Sequence, residues 1–369
     1  MSVIVIGAGV AGTAAAFRAV QLGQKVVWLT AGIGASCATS GALDWGLCDS
    51  GEQLAAPGQA LGEFATLIGW NLPGENARVV TETGVTREAR GADAAILDLA
   101  GLANGTLAVL DVGRPDWDAS WVCRALNQDP WTRTRKLRFD PLRVDLLEPR
   151  LDPRLSPAEY ARALAEQLPS VQAALAKALD TLPQRPMAAL AGPWLCATLE
   201  VAKSFRSSKV PVGEALSPPY GLAGCRFEAA RDAWAAQQPL LERCALRAER
   251  VTCQGGEVTV FAQGKRWTAP RCILALGSIA GGGLLLDAEQ RVQLSLALTP
   301  APVFQQGGRP WLPAASATGV DVQSLGVGQL LAIGLAKESV PGLTVVGDLL
   351  SDRPRTALRA AESGLGAFG

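Results

Sequence analysis

Six residues near the start of the chain constrain its fold more than any other segment. Gly7-Ala8-Gly9-Val10-Ala11-Gly12 follows an apolar run at 3–6 and opens a stretch, 11–22, that is predicted to be helical. Gly7 permits a tight turn, Gly9 lets the backbone approach a pyrophosphate, and Gly12 lets the helix pack closely on the strand. A second apolar run follows at 25–30. The pattern predicts a βαβ unit that binds a dinucleotide, with a first set of site residues: Gly7, Gly9, Val10, Ala11 and Gly12.

The end of the second predicted strand departs from that pattern. Dinucleotide-binding units usually carry Asp or Glu there, which binds the ribose hydroxyls, but this chain has Thr30. A hydroxyl accepts a hydrogen bond but lacks the charge and the bidentate geometry of a carboxylate. Three interpretations stay open: the ribose is held more weakly, the ligand lacks that ribose, as FMN does, or the site is vestigial.

Composition excludes several function classes. The 34 basic and 34 acidic residues balance, so the chain lacks the excess of Lys and Arg that binds phosphate backbones, and no nucleic-acid partner is expected. The absence of histidine rules out a His-based triad, a His-liganded metal and a histidine general base in this chain. The eight cysteines include no Cys-x-x-Cys pair, so no metal or iron–sulfur site is predicted.

Two later strands end in glycine turns. Cys272–Ser278 contains Leu276-Gly277, and Leu343–Asp348 ends in Gly347-Asp348. Both segments resemble strands of flavoproteins with two dinucleotide-binding domains, in which the first crosses near the cofactor and the second places an Asp against the ribityl chain. This order favours a flavoprotein over an NAD dehydrogenase and adds Gly277, Gly347 and Asp348 to the predicted site. The alternative is that each is an ordinary strand ending at a glycine turn.

The loop after the second strand is rich in hydroxyls and small residues, from Ser36 to Asp44. Such a loop can bring hydroxyl and backbone donors to a phosphate or a flavin, which adds Ser40 and Gly41 to the predicted site. A plain surface loop is the alternative.

Short apolar segments at 246–253, 257–262 and 265–269 alternate with glycine turns and predict a β-meander. We therefore predict an α/β fold of the two-dinucleotide-binding flavoprotein type, with a Rossmann-like βαβ unit, a meander and an inserted second α/β domain. The predicted flavin-binding domain is discontinuous, over 1–54, 244–290 and 318–369. The inserted substrate or partner domain covers 55–243.

Several strings occur in the same order in one known family: Gly7–Gly12, Ser40–Asp44, Pro218-Pro219, Gly221-Leu222, Gly224, Arg226, Leu274–Ser278, Gly282–Leu284 and Gly342–Gly347. The chain resembles a flavoprotein subunit of anaerobic glycerol-3-phosphate dehydrogenase, the one that accompanies the catalytic subunit, over nearly its whole length. The resemblance implies that the chain passes electrons between a catalytic flavoprotein partner and an iron–sulfur subunit serving membrane quinone. Asp348 stands where the family usually has a small or hydroxyl residue, and this departure makes the site look more like a standard FAD site. FAD is therefore expected as cofactor, with FMN as the alternative.

The same residues are compatible with two other functions. Thr30 and the lack of histidine also suit a structural subunit with a degenerate flavin site, and Gly347-Asp348 suits a stand-alone FAD-dependent amine or hydroxy-acid oxidase. No catalytic residue is assigned, since the base would be a shifted carboxylate, a lysine or a group of another subunit. Three arginines are candidates for flavin or anion contacts, with salt bridges or solvated positions as the alternative: Arg226, Arg353 and Arg355.

The sequence shows no secretory signal, and its longest uncharged apolar stretch, around Ile273–Leu286, is too short to span a bilayer. A cytoplasmic protein without a membrane span is expected, with any contact to the inner membrane made through a partner.

Overall fold

The computed structural model describes residues 2–32, 34–44, 58–147, 150–278, 281–289, 291–301, 304–306, 333–335, 340–350 and 356–368. Strands are spread over the whole chain. They are β1 Ser2–Ile6, β2 Lys25–Leu29, β3 Ala42–Leu43, β4 Trp70–Asn71, β5 Ala77–Val80, β6 Thr86–Ala89, β7 Gly91–Asp93, β8 Gly105–Asp111, β9 Leu137–Arg143, β10 Ala188–Ala191, β11 Val212–Glu214, β12 Leu241–Cys244, β13 Arg250–Gln254, β14 Glu257–Ala262, β15 Lys265–Ala269, β16 Arg271–Leu274, β17 Leu284–Leu286, β18 Val292–Leu294, β19 Ala297–Thr299, β20 Phe304–Gln306, β21 Ile333–Leu335 and β22 Leu343–Val345.

The helices of the described residues lie between the strands along the chain. They are α1 Val10–Gln21, α2 Gln59–Ile68, α3 Ala119–Gln128, α4 Pro130–Thr134, α5 Pro157–Glu166, α6 Leu168–Asp180, α7 Leu199–Arg206, α8 Leu222–Ala236 and α9 Ala357–Leu365. Arg353 and Arg355, which the sequence proposed as flavin contacts, lie outside the described residues.

The first sheet is parallel and has the strand order β12-β2-β1-β16-β22. Its central strand is buried on both faces, which explains the unbroken apolar run in the sequence. Val3 and Val5 pack with α1 and α9 on one face, and Ile4 and Ile6 pack with the meander on the other. This arrangement is the predicted Rossmann-like βαβ unit.

The meander β13-β14-β15 is antiparallel, and β19 extends it. The predicted strands 257–262 and 265–269 are confirmed with the same bounds. The single strand predicted at 246–253 is wrong in part. The chain first forms β12 beside β2 in the parallel sheet and then crosses to the meander as β13, so the segment between them belongs to neither sheet.

A second parallel sheet has the order β11-β10-β8-β9. Its apolar strands pack with α3, α5, α6 and α7 in a separate core, around Leu107, Val109 and Leu190. The predicted α/β class, with a Rossmann-like βαβ unit and a meander, is confirmed. The domain boundaries stay a prediction. Phe227 and Trp234 of α8, which lie in the predicted inserted segment, pack in the core of the first sheet with Phe17 and Trp28.

Candidate functional site

A cavity of about 890 Å³ opens where β1, β2, β16 and β22 end. Open parallel sheets bind ligands at this edge, and the volume falls within the range of about 300–1,000 Å³ typical of small-molecule and cofactor sites. Small and apolar residues form most of its wall. Its charged lining residues, in the part of the chain that the structure describes, are Asp44, Arg87, Arg247 and Asp348.

The glycine turn forms one wall of the cavity. Gly7 has φ +111°, and a Cβ placed there would lie 2.2 Å from the carbonyl oxygen of Ala275. A Cβ on Gly12 would lie 2.0 Å from the carbonyl oxygen of Gly7. These two glycines therefore let β1, α1 and the end of β16 meet closely. Four of the five residues predicted in this turn line the cavity, namely Gly7, Gly9, Val10 and Ala11, whereas Gly12 is not among its lining residues.

Two side chains hold the carbonyl groups of this turn. Trp28 Nε1 donates to the Gly7 carbonyl at 2.8 Å, and Arg231 Nη1 donates to the Ala8 carbonyl at 2.9 Å. Because a peptide group is planar, fixing each carbonyl also fixes the direction of the next N–H group. Trp28 thus orients the Ala8 amide and Arg231 orients the Gly9 amide. Nothing in the sequence pattern points to Arg231, which reaches the turn from α8.

Ser36 closes over the start of α1. The turn of 3-10 helix Ala35–Ala38 places Ser36 Oγ 2.9 Å from the Val10 nitrogen, whose N–H it accepts. A Cβ on Gly9 would lie 3.1 Å from the same oxygen. Ser36 belongs to the hydroxyl-rich loop of the sequence, but Ser40 and Gly41 were the site residues predicted there. Its contact joins residues 26 positions apart, and no local pattern predicts such a pairing.

Ser40 and Gly41 have different surroundings. Ser40 lines the cavity. Gly41 is not among the lining residues, has φ +92° and would bring a Cβ to 3.1 Å from Ile96 Cγ1. The turn and this close packing explain why glycine occupies position 41.

Thr30 lies beside the cavity and not in its wall. Its hydroxyl accepts from Arg243 Nε at 3.2 Å, and Arg243 Nη1 also pairs with Asp232 at 3.0 Å. Burial alone would raise the pKa of Asp232, but hydrogen bonds and charge from Arg231 and Arg243 outweigh it, and the pKa is lowered. Arg247, just after β12, lines the cavity. Guanidinium groups thus stand near the position where a ribose-binding carboxylate was expected.

The opposite part of the cavity is formed by the ends of β16 and β22. Gly277, with φ +74°, and Asp348 line it. Gly347, with φ +68°, is not a lining residue; a Cβ there would lie 2.6 Å from the Cβ of Ala11. The N-terminus of α9 also faces this space through Thr356 and Ala357. The positive end of the helix dipole therefore adds to the field around Asp348.

The surroundings of Arg226 differ from those predicted from the sequence. Neither of the two options, an anion or flavin contact and a surface salt bridge, is right, because Arg226 is fully buried and absent from the cavity wall. Its Nε lies 2.8 Å from Asp93 Oδ1, and its Nη1 lies 2.9 Å from Glu214 Oε2. Burial raises the pKa of both carboxyl groups, and the charge of Arg226 offsets part of that rise.

No known family model matches the chain, and no curated protein is similar to it. Many solved structures show partial similarity, and three of them are typical. They are putrescine oxidase bound to putrescine (10% identity, TM-score 0.34, 99% of this chain and 98% of that one), AlpK (13%, 0.34, 98% and 59%) and the 3-ketosteroid Δ1-dehydrogenase of Sterolibacterium denitrificans (15%, 0.29, 75% and 47%). The chain thus spans only about half to three-fifths of the latter two. At TM-scores of 0.29–0.34 and identities of 10–15%, these similarities establish no function for the chain.

In the described part of the chain, no helix has the length and apolar character needed to cross a bilayer. The same residues contain no cluster of three or more Cys, Asp or Glu side chains arranged to hold a metal ion.

Proposed function

We propose that the chain is a flavin-dependent oxidoreductase that binds FAD in the cavity at the end of the first sheet. One observation carries the proposal: the glycine turn at the N-terminus of α1 and Asp348 at the end of β22 line the same cavity. A turn of this kind binds phosphoryl groups, and a carboxylate in the wall of the same cavity can accept hydrogen bonds from the hydroxyls of a ribityl chain.

The residues around the cavity are suited to bind most parts of an FAD molecule. The Gly9 amide and the Ser36 hydroxyl would hold the pyrophosphate, and Asp348 would accept from the ribityl hydroxyls. The N-terminus of α9 favours negative charge on the flavin ring. Thr30 stands in place of the ribose-binding carboxylate, and its hydroxyl is engaged by Arg243, so that end of FAD is held by fewer hydrogen bonds. Bound flavin would supply a two-electron acceptor.

The residues of the chain provide the surroundings for that chemistry. Leu276, Leu285 and Phe227 line the cavity and exclude water from its apolar part. The described carboxylates in the wall are Asp44 and Asp348, and the chain contains no histidine. A proton that leaves a substrate in this cavity would go to one of these carboxylates, to solvent or to a partner subunit.

At a finer level, we infer that the chain works as a subunit of a multi-subunit dehydrogenase. The support is the resemblance to a flavoprotein subunit of anaerobic glycerol-3-phosphate dehydrogenase, carried by the ordered strings from Gly7–Gly12 to Gly342–Gly347. The inferred partners are a catalytic flavoprotein and an iron–sulfur subunit, the inferred location is the cytoplasm, and contact with the inner membrane runs through a partner. Purification of the native protein and identification of the chains that accompany it test this inference; a chain that elutes alone contradicts it.

The cofactor is tested on the purified full chain. We expect the visible absorption of a flavin, and the compound released on denaturation should be FAD by chromatography. Gly9→Asp should abolish flavin binding, because it sets a carboxylate against the pyrophosphate. Gly62→Asp is the control, since a Cβ at Gly62 in α2 meets nothing within 4 Å. A folded chain that takes up neither FAD nor FMN contradicts the proposal and favours a structural subunit with a degenerate site.

A further inference from the structure

Arg247 lies in the wall of the cavity, shortly after the end of β12. The residue is exposed, and its guanidinium forms no ion pair or hydrogen bond with another of the described residues. The strand order β12-β2-β1-β16-β22 places this cation at one edge of the sheet and Asp348, which follows β22, at the other. A ligand that lies along the cavity therefore meets an available cation at the β12 end.

The end of β2 belongs to the same part of the cavity. The Thr30 N–H donates to the Cys244 carbonyl at 2.9 Å, so the ends of β2 and β12 lie side by side. The residues that follow the two strands, Ala31 and Gly32 after β2 and 246–248 after β12, line the cavity together. The glycine turn follows β1, the next strand of the sheet. A dinucleotide with its pyrophosphate on that turn therefore reaches this region with its adenosine half.

The charges of this region suit a phosphate better than a ribose hydroxyl. In adenine-dinucleotide sites, a carboxylate at the end of the second strand accepts from the 2′-hydroxyl, whereas a nearby arginine accommodates a phosphate at the 2′-position. This chain has Thr30 in place of the carboxylate, and the Thr30 hydroxyl accepts from Arg243. Asp232 pairs with Arg231 and Arg243 and does not line the cavity. Arg247 thus faces the ligand without a carboxylate at position 30 to oppose it.

We propose that Arg247 binds a phosphate group on the 2′-position of an adenosine ribose, so that the cavity accepts a 2′-phosphorylated adenine dinucleotide of the NADP(H) class. A guanidinium group binds a phosphate through two parallel charged hydrogen bonds. The inference goes beyond the proposed function, because it names a second ligand for the same cavity. NADP(H) and FAD would both place a pyrophosphate on the glycine turn, so they bind in competition.

The test compares NADP⁺ with NAD⁺, two probes that differ only in the 2′-phosphate. Both are titrated calorimetrically into the purified full chain. Where bound flavin fills the cavity, the same two probes are compared by the concentration that releases the flavin, read from its fluorescence. The variants are Arg247→Gln and Thr30→Glu. Arg266→Gln is the control, because Arg266 in β15 is also exposed and without a partner among the described residues, but does not line the cavity.

We expect the unsubstituted chain to bind NADP⁺ at least about tenfold more tightly than NAD⁺, as one charged hydrogen bond to the phosphate allows. Arg247→Gln should remove most of this preference by weakening the binding of NADP⁺. Thr30→Glu should reverse the preference, because a carboxylate accepts from the ribose hydroxyls of NAD⁺ and repels a phosphate. Arg266→Gln should keep the preference of the unsubstituted chain.

The proposal is overturned if the chain binds neither probe, if it binds both equally, or if the preference for NADP⁺ survives in Arg247→Gln. If Thr30→Glu does not fold, as judged by circular dichroism, Arg247→Gln decides the question. The flavin content of each sample separates the two proposals. A chain that prefers NADP⁺ and takes up no flavin contradicts the proposed function and leaves this site standing, whereas a chain that binds flavin and shows no preference contradicts only this site.

Discussion

Ser36 Oγ accepts the backbone N–H of Val10 at 2.9 Å, across 26 positions of sequence. This bond satisfies one of the amides that a helix N-terminus leaves without a partner. The hydroxyl hydrogen of Ser36 remains able to donate to a phosphate oxygen at the same place. The pair therefore links the loop after β2 to the phosphate-binding turn.

Replacing Ser36 by alanine should weaken FAD binding. The variant loses a hydroxyl donor, and the expected loss is about tenfold in affinity, with about 1 kcal/mol lost from the free energy of unfolding because Val10 loses its acceptor. Titration monitored by flavin fluorescence and urea unfolding measure the two effects. Ser207→Ala is the control, because the Ser207 hydroxyl donates to the Lys203 carbonyl at an exposed helix end. Equal FAD affinity in Ser36→Ala and the unsubstituted chain would contradict the role given to this hydroxyl.

Arg231 should act on the cofactor through the Ala8 carbonyl. We expect Arg231→Met to weaken flavin binding by about tenfold, because the Gly9 amide loses its fixed direction and a charged hydrogen bond is lost. Arg231→Lys should recover part of that affinity. Both dissociation constants are measured by the same fluorescence titration. An unchanged dissociation constant in Arg231→Met would show that the glycine turn keeps its geometry without the hydrogen bond from Arg231.

Gly12 and Gly62 should respond in opposite directions to alanine. A Cβ on Gly12 would lie 2.0 Å from a backbone carbonyl, so Gly12→Ala should lower the free energy of unfolding by about 3 kcal/mol, at the upper end for overpacking. Gly62 lies inside α2 with open space around its Cβ position, and Gly62→Ala should raise that free energy by about 0.5–1 kcal/mol. Urea denaturation of the two variants gives both values. Similar effects of the same sign would contradict the packing described for the turn.

Arg226 should contribute more to stability than to flavin binding. Arg226→Met leaves Asp93 and Glu214 buried without their cation, and we expect a loss of about 3–5 kcal/mol in the free energy of unfolding. The pKa values of both carboxyl groups are raised by burial and would rise further without Arg226.

The pH dependence of this variant has a definite sign. A carboxyl group whose pKa is raised by folding is favoured in its protonated form, so its stability contribution is present at low pH and is lost as the pH rises through the folded pKa. The deficit of Arg226→Met should therefore be smaller at about pH 5 than at about pH 8. Unfolding curves at both values check this, and a deficit independent of pH would show that the carboxylates find other partners.

Cys37 should be chemically inert in the folded protein. Burial, with a hydrogen bond to Glu228, raises the pKa of its thiol to about 12. Since the thiolate is the reactive form, iodoacetamide at about pH 8 should modify the exposed Cys225 and leave Cys37 unmodified. Peptide mass spectrometry measures both, and denatured protein, in which both should react, is the control. Labelling of Cys37 at the rate of Cys225 would contradict its burial beside Glu228.

Local patterns were enough to predict the βαβ unit of the first sheet and the meander strands β14 and β15. The apolar run of β1, the glycine spacing of 7–12 and the turns at 255–256 and 264 act over a few residues, where backbone geometry and burial decide the outcome. The sequence also shows that Thr30 replaces the usual Asp or Glu at the end of β2, but it does not predict the contact between Thr30 and Arg243.

Short segments of the sequence therefore specify the βαβ unit, the glycine turn and the strands β14 and β15, because these depend on neighbours along the chain. The tertiary structure selects the distant side chains that complete the site. It brings Ser36 to Val10 and Arg231 to Ala8, pairs Asp44 with Arg87 in the cavity wall, and buries Arg226 between Asp93 and Glu214. Such contacts depend on how the loops and α8 pack against the first sheet. They join residues that are far apart along the chain, and no periodic pattern in the sequence predicts which of these will meet.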